Sequence, residues 1–534
     1  MTSTIQILIL LLIVIVLISV VATRLKVPPS ILLVLAGVVL ALVPGLPAVT
    51  LAPEVVLLLV LPPLIYQSSV AMSWREFRFN LRPISMLAVG CVLFTTIAVA
   101  AACHWLLHFP WAVGFVLGAI VSPPDPVAPL SIARRLQLPR RLLVVLEGEG
   151  LANDATALIL YRFAVAAVSA GSFSLSQAVS MFAAIVAGEI LWGIGVGWIM
   201  LRVRRWVSDP RSEIILAVLT PFLAYWPPQM LGGSGVLATV TTGLYISWNG
   251  LRLISAATRL QGIFFWDFLI YVIEGMVFLI TGLQARALIA DFHRYSISQH
   301  VISAVVLCVA VIVTRFVWVY PAAYLPRWLI PAIARKDPAP PWQWIFALGF
   351  TGIRGIVSLA AALAIPLTTA TNEPFPSRDM ILFLAFSVIL VTLVGQGLTL
   401  PWVIRWLGLA NAGRRERHAE RAEEFKVRRQ AIETTIGRLD QLAKDRQLPD
   451  EVVRSLREYQ RDRLKRDENR SDGDTRHKRL IDLIDNIELL LIGTEREKVN
   501  NLYYLGELKD EARRRIERGL DLREVHVIDL RAEE

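Results

Sequence analysis

Charge is scarce in this chain. Only 18% of its 534 residues are Asp, Glu, Lys or Arg, while 55% are hydrophobic. That balance excludes a soluble globular protein of this size and points to a polytopic membrane protein. Cysteine is rarer still. Cys91, Cys103 and Cys308 are the three in the chain, all inside apolar runs and spaced for neither a disulfide framework nor a metal site, so they are read as apolar packing. No nucleophile, metal-ligand or nucleotide-binding arrangement stands out, so neither enzymatic chemistry nor a cofactor is expected. The glycine-rich GGSGVLA at 232–238 lacks the Lys-Ser/Thr ending of a phosphate loop; its small residues are read as permitting close helix contact. The first apolar run has no small-residue cleavage site and is followed, not preceded, by Arg24 and Lys26, which predicts a retained helix rather than a removed signal peptide.

What the chain has in abundance is long apolar runs. They recur thirteen times, near 5–23, 30–46, 52–70, 84–107, 111–134, 143–168, 178–201, 213–230, 233–249, 263–285, 298–324, 343–367 and 379–407, and cover a hydrocarbon core of about 30 Å. The expected fold is all-α, with about thirteen transmembrane helices over residues 1–410 and a helical cytoplasmic domain over 411–534. Basic residues collect in alternate loops: Arg24 and Lys26; Arg75, Arg78 and Arg82; Arg134, Arg135, Arg140 and Arg141; Arg202, Arg204, Arg205 and Arg211; Arg252 and Arg259; Arg327, Arg335 and Lys336. The loops between offer only Arg286, Arg294 and Arg378. By the positive-inside rule the N-terminus lies outside and the tail in the cytoplasm of a cell-membrane protein. The formal charge is +10, yet residues 411–534 balance 29 basic against 29 acidic side chains. The excess therefore belongs to the membrane part, where it reports topology rather than a nucleic-acid partner.

Two spans cannot be continuous helices. In FVLGAIVSPPDPVAPLSIARR, Pro123, Pro124, Pro126 and Pro129 crowd around Asp125 and break any helix there. In WIFALGFTGIRGIVSLAAALAIP, Gly349, Gly352 and Gly355 surround Arg354. Read as two inverted six-span halves around the seventh span, the chain places these segments in corresponding positions, as in inverted-repeat transporters with crossing broken helices. Asp125 suits the positive half-helix ends and Arg354 the negative ones.

The sixth span, EGEGLANDATALILYRF, holds an ionisable group at mid-depth, where insertion scales put its cost at about 2.5–3.5 kcal/mol. Glu147 and Asp154 share one face of this helix, Glu149 and Asn153 another. A dehydrated monovalent cation wants anionic oxygen, and a carboxyl group removed from water holds its proton more tightly. One side chain, Asp154, can then bind cation or proton in competition, while Asn153 orients without adding a second titratable charge. One carboxylate implies one cation exchanged for one proton. Pairing of Asp154 with Arg162 or Arg315 is the structural alternative. Glu149 and Arg315 are the expected mutual partners among the other buried charges. Glu189, Asp267 and Glu274 line a vestibule or sit near an interface; His104 and His108 are read as interfacial.

At these residues the chain resembles the monovalent cation/proton antiporter family of sodium/proton exchangers. The resemblance runs through PPLIY (62–66), SWREFR (73–78), SPPDPVA (122–128), EGEGLANDATALILYRFA (147–164), GSGVLA (233–238), FLITGLQ (278–284), GIRGIVSLAAALAIP (352–366) and TLVGQGLTLP (392–401). It implies a thirteen-span homodimer whose core domain moves like an elevator against a dimerisation domain. It also implies Asp154 as cation and proton ligand, Asn153 as its neighbour, Asp125 as the acid at the crossing, a Glu149–Arg315 internal pair, and Arg354 neutralising the second broken helix. The Asn-Asp form goes with electroneutral exchange. Gly150 stands where a serine oxygen is usual in the ion site, Pro124 where many members have threonine, and Gln67 and Gln229 where some have glutamate. A Pro124 carbonyl can still coordinate, whereas at Gly150 water or another carbonyl must fill in. Sodium leads as substrate, with lithium as surrogate and potassium as rival in a K+/H+ antiporter using the same site.

The tail from about 412 is charged and nearly free of proline, with expected breaks at Pro449, SDGD (471–474) and Gly493. LIDLIDNIELLLIG (480–493) and LYYLGELKDEARRRIERGLDL (502–522) repeat apolar residues at helical spacing. A transport-inactive sensor signalling through this tail is the reading from a different class; a channel fits paired broken helices poorly.

Overall fold

Proline and glycine interrupt two of the expected spans, and elsewhere they are accommodated inside helices. The computed structural model describes residues 2–44, 52–170, 175–207, 209–250, 253–286, 297–369, 372–446, 448–471, 475–505 and 507–532; Arg252, Arg294 and all but Ser471 of SDGD lie outside them. Among the described residues the chain is helical nearly throughout. Eight helices are long and apolar enough to cross a membrane, beginning with Gln6–Leu25 and ending with Arg378–Trp406. The other expected spans are shorter, interrupted or, for the 21-residue Pro210–Met230, less apolar. Pro29–Ala41 and Val236–Asn249 are short helices, and Pro210–Met230 carries Pro221, Pro227 and Pro228 inside it. Side-chain caps start several helices: Asp209 accepts from the Ser212 amide and Ser255 from the Thr258 amide, satisfying donors that a helix start leaves free.

Both proline- and glycine-rich segments are broken. Trp111–Val121 ends before Ser122 and the chain resumes helix at Val127–Arg135; Trp342–Phe350 ends before Thr351 and helix resumes at Ile356–Leu363. The two breaks touch, since the Asp125 amide donates to the Ile353 carbonyl at 2.7 Å. Small residues set close crossings elsewhere. A Cβ on Gly37 would sit 2.8 Å from the Gly282 Cα, so Pro29–Ala41 and Ala256–Leu283 pack backbone to backbone. All three cysteines are buried and free.

GGSGVLA does ease helix contact, since a Cβ on Gly193 of the Leu175–Arg204 helix would run into the Ala238 backbone, and it also receives a buried carboxylate. The Ser234, Gly235 and Leu237 amides donate to the Glu189 carboxylate at 2.5, 3.0 and 3.0 Å. Glu189, from the Leu175–Arg204 helix, thus caps the buried start of Val236–Asn249, where the free amides and the positive end of the helix dipole need an anionic partner.

The chain divides into two compact units, Met1–Arg414 and Arg415–Glu534. In the second, Thr475–Tyr504 and Asp510–Ala532 form an antiparallel pair: Arg496 bonds Asp521 and Glu524, Arg523 bonds Glu495, and Arg513 lies over the Tyr503 ring. Helix ends before Pro449, but Thr475–Tyr504 runs straight through Gly493. A mid-helix glycine costs only about 1 kcal/mol, which the packing of its neighbour Ile492, 1% exposed, offsets.

Candidate functional site

The two breaks and the Arg140–Ala170 helix meet. Asp125 sits where two half-helices begin. Its carboxylate accepts from the Val127 amide at 2.9 Å, the first residue of Val127–Arg135, and from the Ile356 amide, the first of Ile356–Leu363. Two positive helix ends thus converge on one anionic side chain. Arg354 serves the opposite ends. Its Nε donates to the Val121 carbonyl at 2.6 Å, where Trp111–Val121 stops, and a guanidinium NH2 group donates to the Gly352 carbonyl, just past Phe350. Its own amide is held by Thr392 Oγ1 at 3.0 Å, a residue in the π-helical turn Val391–Gln396. Nothing in sequence spacing singles out Thr392; its contact joins segments 38 positions apart.

Gly355 is where these parts touch most closely. A Cβ there would fall on the Asp125 carboxylate, and 2.6 Å from the Asp125 Cβ. The crowding includes the base of the side chain as well as its flexible tip. Gly355→Ala is therefore expected to push the crossing apart at about 1–3 kcal/mol and, if that energy is lost at the site, to lower transport by roughly five- to a hundredfold. Transport assays of the size-exclusion-purified variant check this; wild-type rates would show that the crossing tolerates the methyl group.

Asp154 lines a cavity of about 380 Å³ together with Asp125, Gly150, Glu147, Asp267 and Glu274. The Asp154 side chain is half-buried and has no hydrogen-bond partner among the described residues. Arg134 is the one basic side chain among the described residues lining this cavity, and it is paired with Glu147. The other formally charged side chains lining it, Asp125, Asp154, Asp267 and Glu274, are all acidic. Asp267 and Glu274 therefore face the vestibule, one of the two readings that their positions allow. The Arg134–Glu147 pair was foreshadowed only by the closeness of Glu147 to the basic 134–141 loop.

Asn153 turns away from Asp154. It is fully buried, donates through Nδ2 to the Pro124 carbonyl at 2.7 Å, and leaves Oδ1 without a partner. The Pro124 carbonyl thus already carries one hydrogen bond. Gly150 lines the cavity, but a Cβ there would meet the Pro126 ring, 2.8 Å from its Cβ. The proline occupies the space that a serine side chain would need, which accounts for glycine at this position in this chain. Glu149 and Arg315 form a two-pronged ion pair at 2.5 and 2.9 Å, with side chains 2% and 1% exposed. Arg315 Nε also donates to the Leu348 carbonyl at 3.0 Å. Neither arginine named as a partner for Asp154 is bonded to it. His104 bonds the Phe109 carbonyl and stacks on Trp111.

Comparison with known proteins identifies the family and the fold. Residues 8–406 match the model of the transmembrane sodium/hydrogen exchanger family. An uncharacterized Na+/H+ exchanger of Mycobacterium tuberculosis is 33% identical over 522 residues, covering 96% of this chain and 94% of its own. A sodium, potassium, lithium and rubidium/H+ antiporter of Bacillus subtilis is 33% identical over 70% of this chain and 57% of its own. The solved sodium proton antiporter MjNhaP1 of Methanocaldococcus jannaschii superposes with a TM-score of 0.62 at 18% identity, over 77% of this chain and 99% of its own.

Proposed function

The chain belongs to the sodium/hydrogen exchanger family, and from that premise we propose that it exchanges Na+ or Li+ for H+ electroneutrally, one for one, at Asp154. It is a membrane cation/proton antiporter rather than an enzyme. The observation that carries the proposal is the state of Asp154: a carboxylate in a cavity, unbonded by any described residue, beside an Asp125 already held by two helix starts. Asp154 is free to alternate between cation and proton; Asp125 contributes fixed negative charge. Asn153, spent on Pro124, ties the sixth span to the first break and titrates nothing.

The cavity runs from the aspartates to Ser131, Arg134 and Glu147 beside the basic 134–141 loop, which supports an inward-facing arrangement with that loop in the cytoplasm. Alternating access would carry the crossing with the core. Thirteen crossings, a plasma-membrane location, an outside N-terminus and a homodimer complete the reading.

Potassium is the second reading. The Bacillus relative is named for potassium as well as sodium, and Gly150 brings no side-chain oxygen that would tighten the site around a smaller ion. Proteoliposomes with an imposed pH gradient, clamped membrane potential and a pH dye separate the two. Dequenching on adding sodium or lithium is expected; a response to potassium alone would reassign the cation, and silence from folded protein with every cation would remove the antiport proposal.

A further inference from the structure

Away from the crossing, three guanidinium groups share one carboxylate. Arg82 and Arg327 donate to one oxygen of Asp337 at 2.5 and 2.7 Å, and Arg141 donates to the other at 2.7 Å. The arginines come from three separate places: the start of Leu81–Leu107, the start of Arg140–Ser169 and the end of Ser298–Leu329. Arg141 is further fixed by Asn80 and lies over the Phe79 ring. Asp337 is 16% exposed and Arg327 8%, while Arg82 and Arg141 are 27% and 28% exposed, so water screens the surplus positive charge only in part and can still reach it. The same three arginines line a small cavity with Pro83, Met86 and Trp344. Arg327 also borders an open apolar groove of about 720 Å³ formed by Tyr320, Tyr324, Leu325 and Trp328. Trp328 is 80% exposed.

We propose that this corner is a binding site for an anionic phospholipid, its phosphate on Arg82, Arg141 and Arg327 and an acyl chain along the Tyr320–Trp328 groove. Guanidinium forks match phosphate oxygens in geometry and charge, and basic pockets between membrane helices take anionic headgroups. Tyrosine and tryptophan at the end of a spanning helix mark the headgroup level, which puts the charge and the groove at the depths where a lipid carries its phosphate and its chain. A soluble phosphate would satisfy the arginines but leave the groove unused; the groove favours lipid. The linker from Arg327 leads into Trp342–Phe350, so an occupied site steadies the approach to the second break.

Native mass spectrometry of the full-length protein in detergent tests this, with dioleoyl phosphatidylglycerol, dioleoyl phosphatidylcholine and glycerol 3-phosphate as probes. Retention of phosphatidylglycerol over phosphatidylcholine is expected. Arg82→Gln should weaken it about fivefold, from the roughly 1 kcal/mol that a basic side chain contributes near an anionic surface; Trp328→Ala should weaken it by a similar factor. Arg78→Gln, an exposed basic residue of the neighbouring segment, should change nothing. Equal behaviour of Arg82→Gln and Arg78→Gln, or no preference over phosphatidylcholine, overturns the site. Competition by glycerol 3-phosphate with no effect of Trp328→Ala overturns the lipid and leaves a soluble anion. Should Arg82→Gln fail to yield monodisperse protein, Trp328→Ala against Arg78→Gln decides.

Discussion

Asp154→Asn is expected to reduce cation-driven proton movement to the level of empty liposomes while leaving a folded, correctly inserted protein. The two halves of that expectation have one cause. Asp154 makes no hydrogen bond to a described residue, so the amide loses no structural partner. What it loses is the anionic oxygen that holds the cation and the site that takes the proton. Because an isolated carboxylate at membrane depth costs about 2.5–3.5 kcal/mol on insertion scales, neutralising it should leave thermal stability unchanged or raised. Dye dequenching in proteoliposomes and a thermal unfolding curve on the same preparation check both halves. Retained exchange would take the transport role from Asp154; a collapsed protein would mean that the side chain is a structural anchor.

The contrast with Asp125 makes the assignment sharper. Asp125 accepts from Val127 and Ile356 and its amide donates to Ile353, so any substitution there disturbs the crossing as well as the charge. A loss of activity in Asp125→Asn would therefore not by itself identify a ligand, whereas the same loss in Asp154→Asn would.

The breaks are legible in sequence because proline and glycine act locally: Pro123, Pro124 and Pro126 fall within four positions and together remove too many backbone donors for the helix to continue, whereas the prolines of Pro210–Met230 are accommodated inside a helix. The preference of Asp125 and Arg354 for opposite helix ends follows from charge and dipole alone. The carbonyls of Val121 and Gly352 that Arg354 reaches, and the Thr392 hydroxyl behind it, are not legible, because they depend on which helices meet. The same holds for Glu189, whose partners lie 45 to 48 positions away. Asp337 is farther out of reach, joined to Arg141 across 196 positions and to Arg82 across 255. Periodicity describes the face of a helix and is silent about what that face is packed against. Gly493 failed as a break for the opposite reason: a local cost of about 1 kcal/mol is small enough for packing to override.

Glu149→Gln is expected to be the most damaging single change to stability in the membrane unit. The Arg315 side chain is 1% exposed, and the substitution leaves its charge without a counter-charge in a place with little water. Breaking a buried pair in this way costs about 3–5 kcal/mol, a large share of what a protein of ordinary stability possesses. The pair itself need not be worth that much. Removing both charges, as in Glu149→Gln with Arg315→Met, removes the desolvation penalty along with the attraction and should recover most of the loss. The Leu348 carbonyl, which Arg315 would abandon, keeps the Thr351 hydroxyl as a donor at 3.0 Å, so the double variant leaves it paired. Thermal unfolding of the two single variants and the double closes the cycle. If the double variant is as unstable as the sum of the singles, the two side chains act independently and the ion pair does not organise this region. If stability returns while transport stays low, the pair holds the sixth span in the position that Asp154 needs.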